Sequence, residues 1–296
     1  MSTDSHLVFT PYRVSTITCN ADIGTDINLD LSILFNNIEI QNKDQSFVWI
    51  QFLKEKDEVT RGENPKKKRK TKENSKNRFD NQITVLYKFG DEYYPNIKIF
   101  KNGNIQMTGI RDLEHPKIII EKIIENIKKI FAEVDTKVII TNYNDTNPTA
   151  RLAYSNFKVR MINSDFKVYN DIECTDRFCV KRKELHSILI NTKYDNKSSF
   201  QPSVYQGVKL EYYWNTENKN KDGVCTCTGN CFGKSNGSGN GNCKKVTIAI
   251  FESGSILITG GVTFEQIDDA YAYICNVIKD NQNTIKKTQI EKLLLV

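Results

Sequence analysis

Four cysteines in one loop carry the most specific chemistry in the chain: Cys225-x-Cys227-x3-Cys231-x11-Cys243, set among Gly, Ser, Asn and Lys. The loop has no apolar material for a core. Four thiolates can instead tie it around one Zn2+ in tetrahedral geometry, so that metal binding replaces burial as the source of order. With no histidine, carboxylate or open ligand position, the set suits a structural site rather than a catalytic one. The spacing is not a standard finger pattern, and a redox or disulfide-linked loop and unligated thiols are the other two readings. The chain shows no nucleophile beside a base, no phosphate-cradling glycine loop and no carboxylate pair at metal spacing, so it does not read as an enzyme.

The elements that must hold this loop repeat. A shift of 151 residues lays FKNGNIQMTG (residues 100–109) over FESGSILITG (251–260). Leu113, Ile119, Ile120, Ile123 and Ile127 then fall on Phe264, Ala270, Tyr271, Ile274 and Ile278, the apolar spacing of one helix face. Each copy therefore predicts strand, tight turn, strand, helix, with Asn102-Gly103 and Ser253-Gly254 in the turns. Strand alternation buries Ile97, Ile99, Ile105 and Met107, and likewise Ile248, Ile250, Ile256 and Ile258, under the helices. The opposite face carries Lys98, Phe100, Gln106 and Thr108 in one copy and Thr247, Ala249, Phe251, Leu257 and Thr259 in the other. Such a face reads as a surface that meets something, or as one whose aromatic is covered by a loop or a partner chain.

Composition narrows the class. At 39% hydrophobic the 296 residues have ample core material, and no apolar run is long enough to cross a bilayer. The start, MSTDSHLVFTPYR, lacks a basic region followed by an apolar stretch, so the expectation is an intracellular protein whose eight cysteines are reduced or metal-bound. The net charge of +6 is local. Residues 54–78 hold eleven Lys/Arg against five Asp/Glu, and the remainder holds 31 of each sign. That segment lacks the apolar residues needed to fold and is expected to be disordered. Its run Pro65-Lys-Lys-Lys-Arg-Lys70 fits nuclear import, non-specific attraction to DNA, or simple solubility.

The two repeat motifs, the helices after them, Arg13-Val-Ser-Thr-Ile17 and FQPSVYQG (residues 200–207) together resemble the TATA-box-binding protein family, and they occur in that family's order over roughly half the chain. Long insertions and an Asn, Lys and Ile bias resemble the divergent versions carried by large DNA viruses. The resemblance implies an α+β fold in which two direct repeats form one curved, saddle-like antiparallel sheet with helices on its convex face. It divides the chain into a disordered leader (1–10), a first repeat (11–141), a linker (142–150) and a second repeat (151–290), with the cysteine insertion at 215–244 replacing the second stirrup.

What the resemblance implies for function is promoter recognition: binding TA-rich duplex in the minor groove and bending it. Phe79 with Phe100, and Tyr205 with Phe251, match the intercalating phenylalanines, with Phe47 a competitor for the first place. Val14, Thr16, Gln106, Thr108, Ile162, Ser164, Leu257 and Thr259 would line the groove. The family's two base-reading asparagines are replaced by Tyr12 and by Arg160 or Met161, with Asn163 nearby as a substitute amide. Implied partners are promoter DNA, an initiation factor of the B type and the RNA polymerase machinery, in a host nucleus or a cytoplasmic viral compartment. Two alternatives remain: a saddle-shaped interaction scaffold without DNA bending, and an architectural or single-strand binder.

Overall fold

A computed structural model of the chain describes residues 7–54, 57–65, 81–140, 147–191 and 193–288. The chain forms two compact units, Thr16–Val159 on one side and Met1–Ser15 with Arg160–Val296 on the other. In chain order the elements begin with β1 (Val8–Phe9), β2 (Arg13–Gly24), β3 (Asn28–Leu29), α1 (Leu31–Asn37), β4 (Ser46–Lys54) and β5 (Asp57–Gly62). They continue with β6 (Gln82–Lys88), β7 (Asn96–Phe100), β8 (Asn104–Ile110), α2 (His115–Glu133), β9 (Ile139–Ile140) and β10 (Leu152–Tyr169). The last are α3 (Arg182–Leu189), β11 (Lys197–Ser199), β12 (Val208–Trp214), β13 (Lys244–Ile250), β14 (Ser255–Gly261), α4 (Phe264–Asp280) and α5 (Gln282–Ile285). Among these, no helix is long and apolar enough to cross a membrane.

In the Thr16–Val159 unit the strands run β2-β8-β7-β6-β4-β5, every pair antiparallel. Ile97, Ile99, Ile105 and Met107 point under α2, and Ile119, Ile120, Ile123 and Ile127 meet them; all eight are buried. Helix α1 starts at Leu31, because Asn28–Leu29 pairs with β9 and Asp30 caps the helix through the N–H groups of Ser32 and Ile33. The segment expected to be disordered from 54 to 78 is partly ordered. Asp57–Gly62 forms an edge strand on β4, where a polar sequence is tolerated, and the Arg61 guanidinium donates to the carbonyls of Phe35 and Ile38. Residues 66–80, with most of the basic run, lie outside the described residues.

The second unit repeats the plan. Its strands run β11-β12-β13-β14-β10, again antiparallel, with α4 packed on β12, β13 and β14. The leader is structured from Val8, which pairs through β1 with β10. Chain passage between units occurs inside β2 and inside β10 at Val159/Arg160. Of the expected link at 142–150, residues 147–150 are described and lead through a short 3-10 turn into β10.

The duplication extends to backbone conformation. Gly103 and Gly254 have φ of 78° and 73°, and Gly109 and Gly260 have φ of 82° and 93°. The latter pair mark bulges, where β8 shifts register on β2 and β14 shifts register on β10. Leu113 and Phe264, expected on the buried helix faces, are instead exposed, since both precede the first buried turn of their helix.

Candidate nucleic-acid interface

Pairing sets the uncovered face of each unit. In the first, Asn20, Gln106, Lys98 and Thr84 lie directly across from one another on β2, β8, β7 and β6. Thr16, Thr18 and Thr108 share the half-buried side of their strands, and the Thr16 hydroxyl accepts from the Gly109 N–H at 3.0 Å. Phe100 ends β7 opposite Gln82, half-buried and on this same side. Phe79 lies outside the described residues. Phe47, its competitor, is buried edge-on against Tyr87 with centroids 5.3 Å apart and has no access to a ligand.

In the second unit, two rows cross the face. Asn163, Thr259, Thr247, Glu211 and Lys197 form one; Asp165, Leu257, Ala249, Lys209 and Ser199 form the other. Ile162 and Ser164, expected on this face, are 1% exposed and lie beneath the helix layer with Phe166 and Val168. The apolar alternation of β10 fixes its register, and a one-residue slip exchanges the faces of every side chain, so Asn163 and Asp165 take the open positions. Ala249, also on the open face, is itself buried.

The start of β2 completes this unit. Arg13 Nε donates to both carboxylate oxygens of Asp165 at 2.8 and 3.1 Å, and the Ser15 hydroxyl donates to the Asn163 carbonyl at 3.0 Å. Val14 is half-buried between them. Tyr12 takes no part: it packs edge-on against Tyr271 and donates to Asp268 at 2.6 Å. Burial, then the Asp268 hydrogen bond, pushes its phenol up to about 12. The side-chain carbonyl oxygens of Asn20 and Asn163 are buried without a hydrogen-bond partner. The sequence singled out neither Arg13–Asp165 nor Asn20; alternation read from Ile162 would have found Asp165.

Tyr205 and Phe251 come together, ring centroids 5.7 Å apart, both half-buried. Gly207 permits the approach, because a Cβ there would lie 2.9 Å from the Tyr205 ring and 3.3 Å from that of Phe251. The Lys209 ammonium sits 4.3 Å from the Tyr205 ring centre.

The four cysteines of the insertion also converge, their sulfurs all within 4.8 Å of one another. Cys243 Sγ lies 3.3 Å from that of Cys227 and 3.8 Å from that of Cys225. A tetrahedral Zn–S4 site with bonds of about 2.3 Å requires sulfurs roughly 3.8 Å apart, so the donor set fits a metal ion. N–H groups reach two of the sulfurs, Gly241 N to Cys227 at 3.0 Å and Asn215 Nδ2 to Cys243 at 3.4 Å. Burial raises the Cys243 and Cys225 thiols. Burial acts likewise on Cys231, but the backbone N–H groups of Gly233 and Cys243 together with the Cys225 and Cys243 thiols outweigh it and bring that thiol down to about 7. Gly237 lies against the Trp214 ring and Gly233 against Tyr213, which seats the loop on β12.

Fold and site thus define a duplicated α+β protein with two uncovered sheet faces, each ending in an aromatic, and a thiol-rich knob on the second. No family model matches the chain. TBP of Methanococcus jannaschii aligns over 92% of this chain and 99% of its own at 16% identity, with a TM-score of 0.45. A protein of Acanthamoeba polyphaga mimivirus described as TATA-box-binding protein-like is 32% identical over 286 residues, covering 96% of this chain and 69% of that one. The chain belongs to the TATA-box-binding protein-like family.

Proposed function

We propose that the protein is a transcription-initiation factor that binds TA-rich promoter duplex through the minor groove and bends it. The observation that carries this reading is the Tyr205–Phe251 pair, half-open beside a face of Thr, Asn and Leu side chains, with Phe100 at the equivalent place in the other unit. Aromatic wedges of this kind prise open a base step at a cost of a few kcal/mol, offset by contact along a widened groove. The minor groove presents mainly acceptors, so the hydroxyls of Thr16, Thr108 and Thr259 and the amides of Asn20, Gln106 and Asn163 suit it as donors. Discrimination would follow the low deformation cost of TA steps. The cysteine knob would hold a structural Zn2+ through Cys225, Cys227, Cys231 and Cys243, and the initiation factor of the B type would dock beside it in a nucleus or a viral compartment.

One observation favours a second reading, an interaction scaffold without DNA bending: Asp165 and Glu211 put carboxylates on the open face, and Tyr12 stands where the family reads a base. Titration against TA-rich duplex, GC-rich duplex and single strands separates the two. The first reading predicts tightest binding to the TA-rich duplex; equal or absent binding to all three supports the scaffold, and preference for single strands supports a stacking binder.

A further inference from the structure

Tyr205 and Phe251 sit on separate segments, one on the irregular connection between β11 and β12 and one at the turn between β13 and β14. The residues that follow them, Gln206 and Glu252, are gripped by a single side chain. Arg182 Nη1 donates to the Gln206 backbone carbonyl and to its Oε1 at 3.1 Å, while Nη2 lies 2.5 Å from Glu252 Oε2. Lys287 Nζ holds the other Glu252 oxygen at 2.7 Å, and Gln206 Nε2 closes its own loop on the Pro202 carbonyl at 3.0 Å. The guanidinium also lies 5.3 Å from the centre of Phe200, where that loop begins.

Arg182 opens α3, where the helix dipole disfavours a cation, so its place is explained by the clasp rather than by the helix. Its side chain and that of Glu252 are 18% and 22% exposed, which shields the pair from the screening that weakens surface ion pairs. A planar fork with donors on both terminal nitrogens bridges two acceptors in a way an ammonium cannot.

We propose that Arg182 is a positioning residue for the Tyr205–Phe251 wedge, locking the two segments so that the rings are presented together at fixed separation. The inference rests on the DNA-bending reading above. An untethered loop would lose its ring orientation to conformational freedom, and wedging into a base step needs that orientation set in advance.

The test uses the full chain, a TA-rich duplex with dyes at its ends to report bending, and a 2-aminopurine at the wedged step to report unstacking. Arg182→Gln is expected to weaken binding about tenfold, the size of a charge-assisted contact, and to lose most of the 2-aminopurine signal, while the melting temperature falls by no more than about a few degrees because Lys287 still pairs with Glu252. Arg182→Lys keeps the charge without the fork and is expected to recover affinity in part but not the unstacking signal. Unstacking by Arg182→Gln at the wild-type level, or full rescue of it by Arg182→Lys, overturns the proposal. Loss of the signal only in step with a fallen melting temperature reduces Arg182 to a fold-stabilising residue and overturns it too. If wild type itself neither bends nor unstacks the duplex, the parent reading fails, and that failure is visible before any variant is compared.

Discussion

Asp165 places a carboxylate on a face proposed to approach a polyanion, and among the described residues the Arg13 guanidinium offsets it within bonding distance. Arg13→Ala should therefore weaken DNA binding by roughly tenfold, and adding Asp165→Asn should recover part of the loss; equal affinities for single and double variants in a titration would remove the pair from the interface. Alternation makes a second test. Ile258→Ala, in the core, should cost about 2–5 kcal/mol in denaturant unfolding, whereas the neighbouring Leu257→Ala should cost clearly less and act on DNA affinity instead. Burial raises the Glu252 carboxyl, but Lys287 and Arg182 outweigh that and hold it below the usual carboxylate range. A lowered folded-state pKa means that the contribution to stability is present above the unfolded value near 4.3 and fades as pH falls through the folded value. Glu252→Gln should accordingly flatten the acid side of a stability–pH profile. At this scale the sequence told most about apolar alternation, because burial acts on every second residue. It told least about β10, where the family resemblance assigns Ile162 and Ser164 to the open face while the strand's own alternation with Phe166 and Val168 buries them.

Among the elements, both repeat hairpins and their helices were legible, since turn glycines, alternation and a helical apolar stripe coincide in each copy. β5 and β1 were not: a short edge strand such as DEVTRG carries one apolar residue, Val59, and owes its pairing to β4, which no local pattern reveals. The bulge glycines Gly109 and Gly260 close the two repeat motifs, where sequence pattern alone assigns them no role. Gly260→Ala would have to hold φ near 93°, so a loss of stability of about 1 kcal/mol or more is expected by thermal melting, with Gly109→Ala behaving alike. Cysteine spacing disclosed the knob but not its seat on Trp214. If the knob holds zinc, elemental measurement should give one ion per chain, and chelation or Cys243→Ser should shift Trp214 fluorescence as Gly237 leaves the ring. Metal-free protein with an unchanged spectrum after chelation would end the zinc reading.

Over the whole molecule, the charge surplus is confined to residues 54–78 while the rest is balanced. On the proposed function, electrostatic attraction and groove recognition would therefore be carried by different parts of the chain. Deleting residues 66–78 should flatten the dependence of affinity on salt yet leave the preference for TA-rich duplex, because phosphate contacts set the former and deformation the latter. Family membership was readable from motif order, and the mimivirus relative spans nearly all of this chain. The most direct measurement is the end-to-end distance of a dye-labelled TA-rich duplex with the wild-type chain and with the Phe100→Ala, Phe251→Ala double variant. The account predicts a shortened duplex with the former and a straight one with the latter, at unchanged melting temperature. A duplex that stays straight with wild type, or bends equally with the double variant, would contradict it.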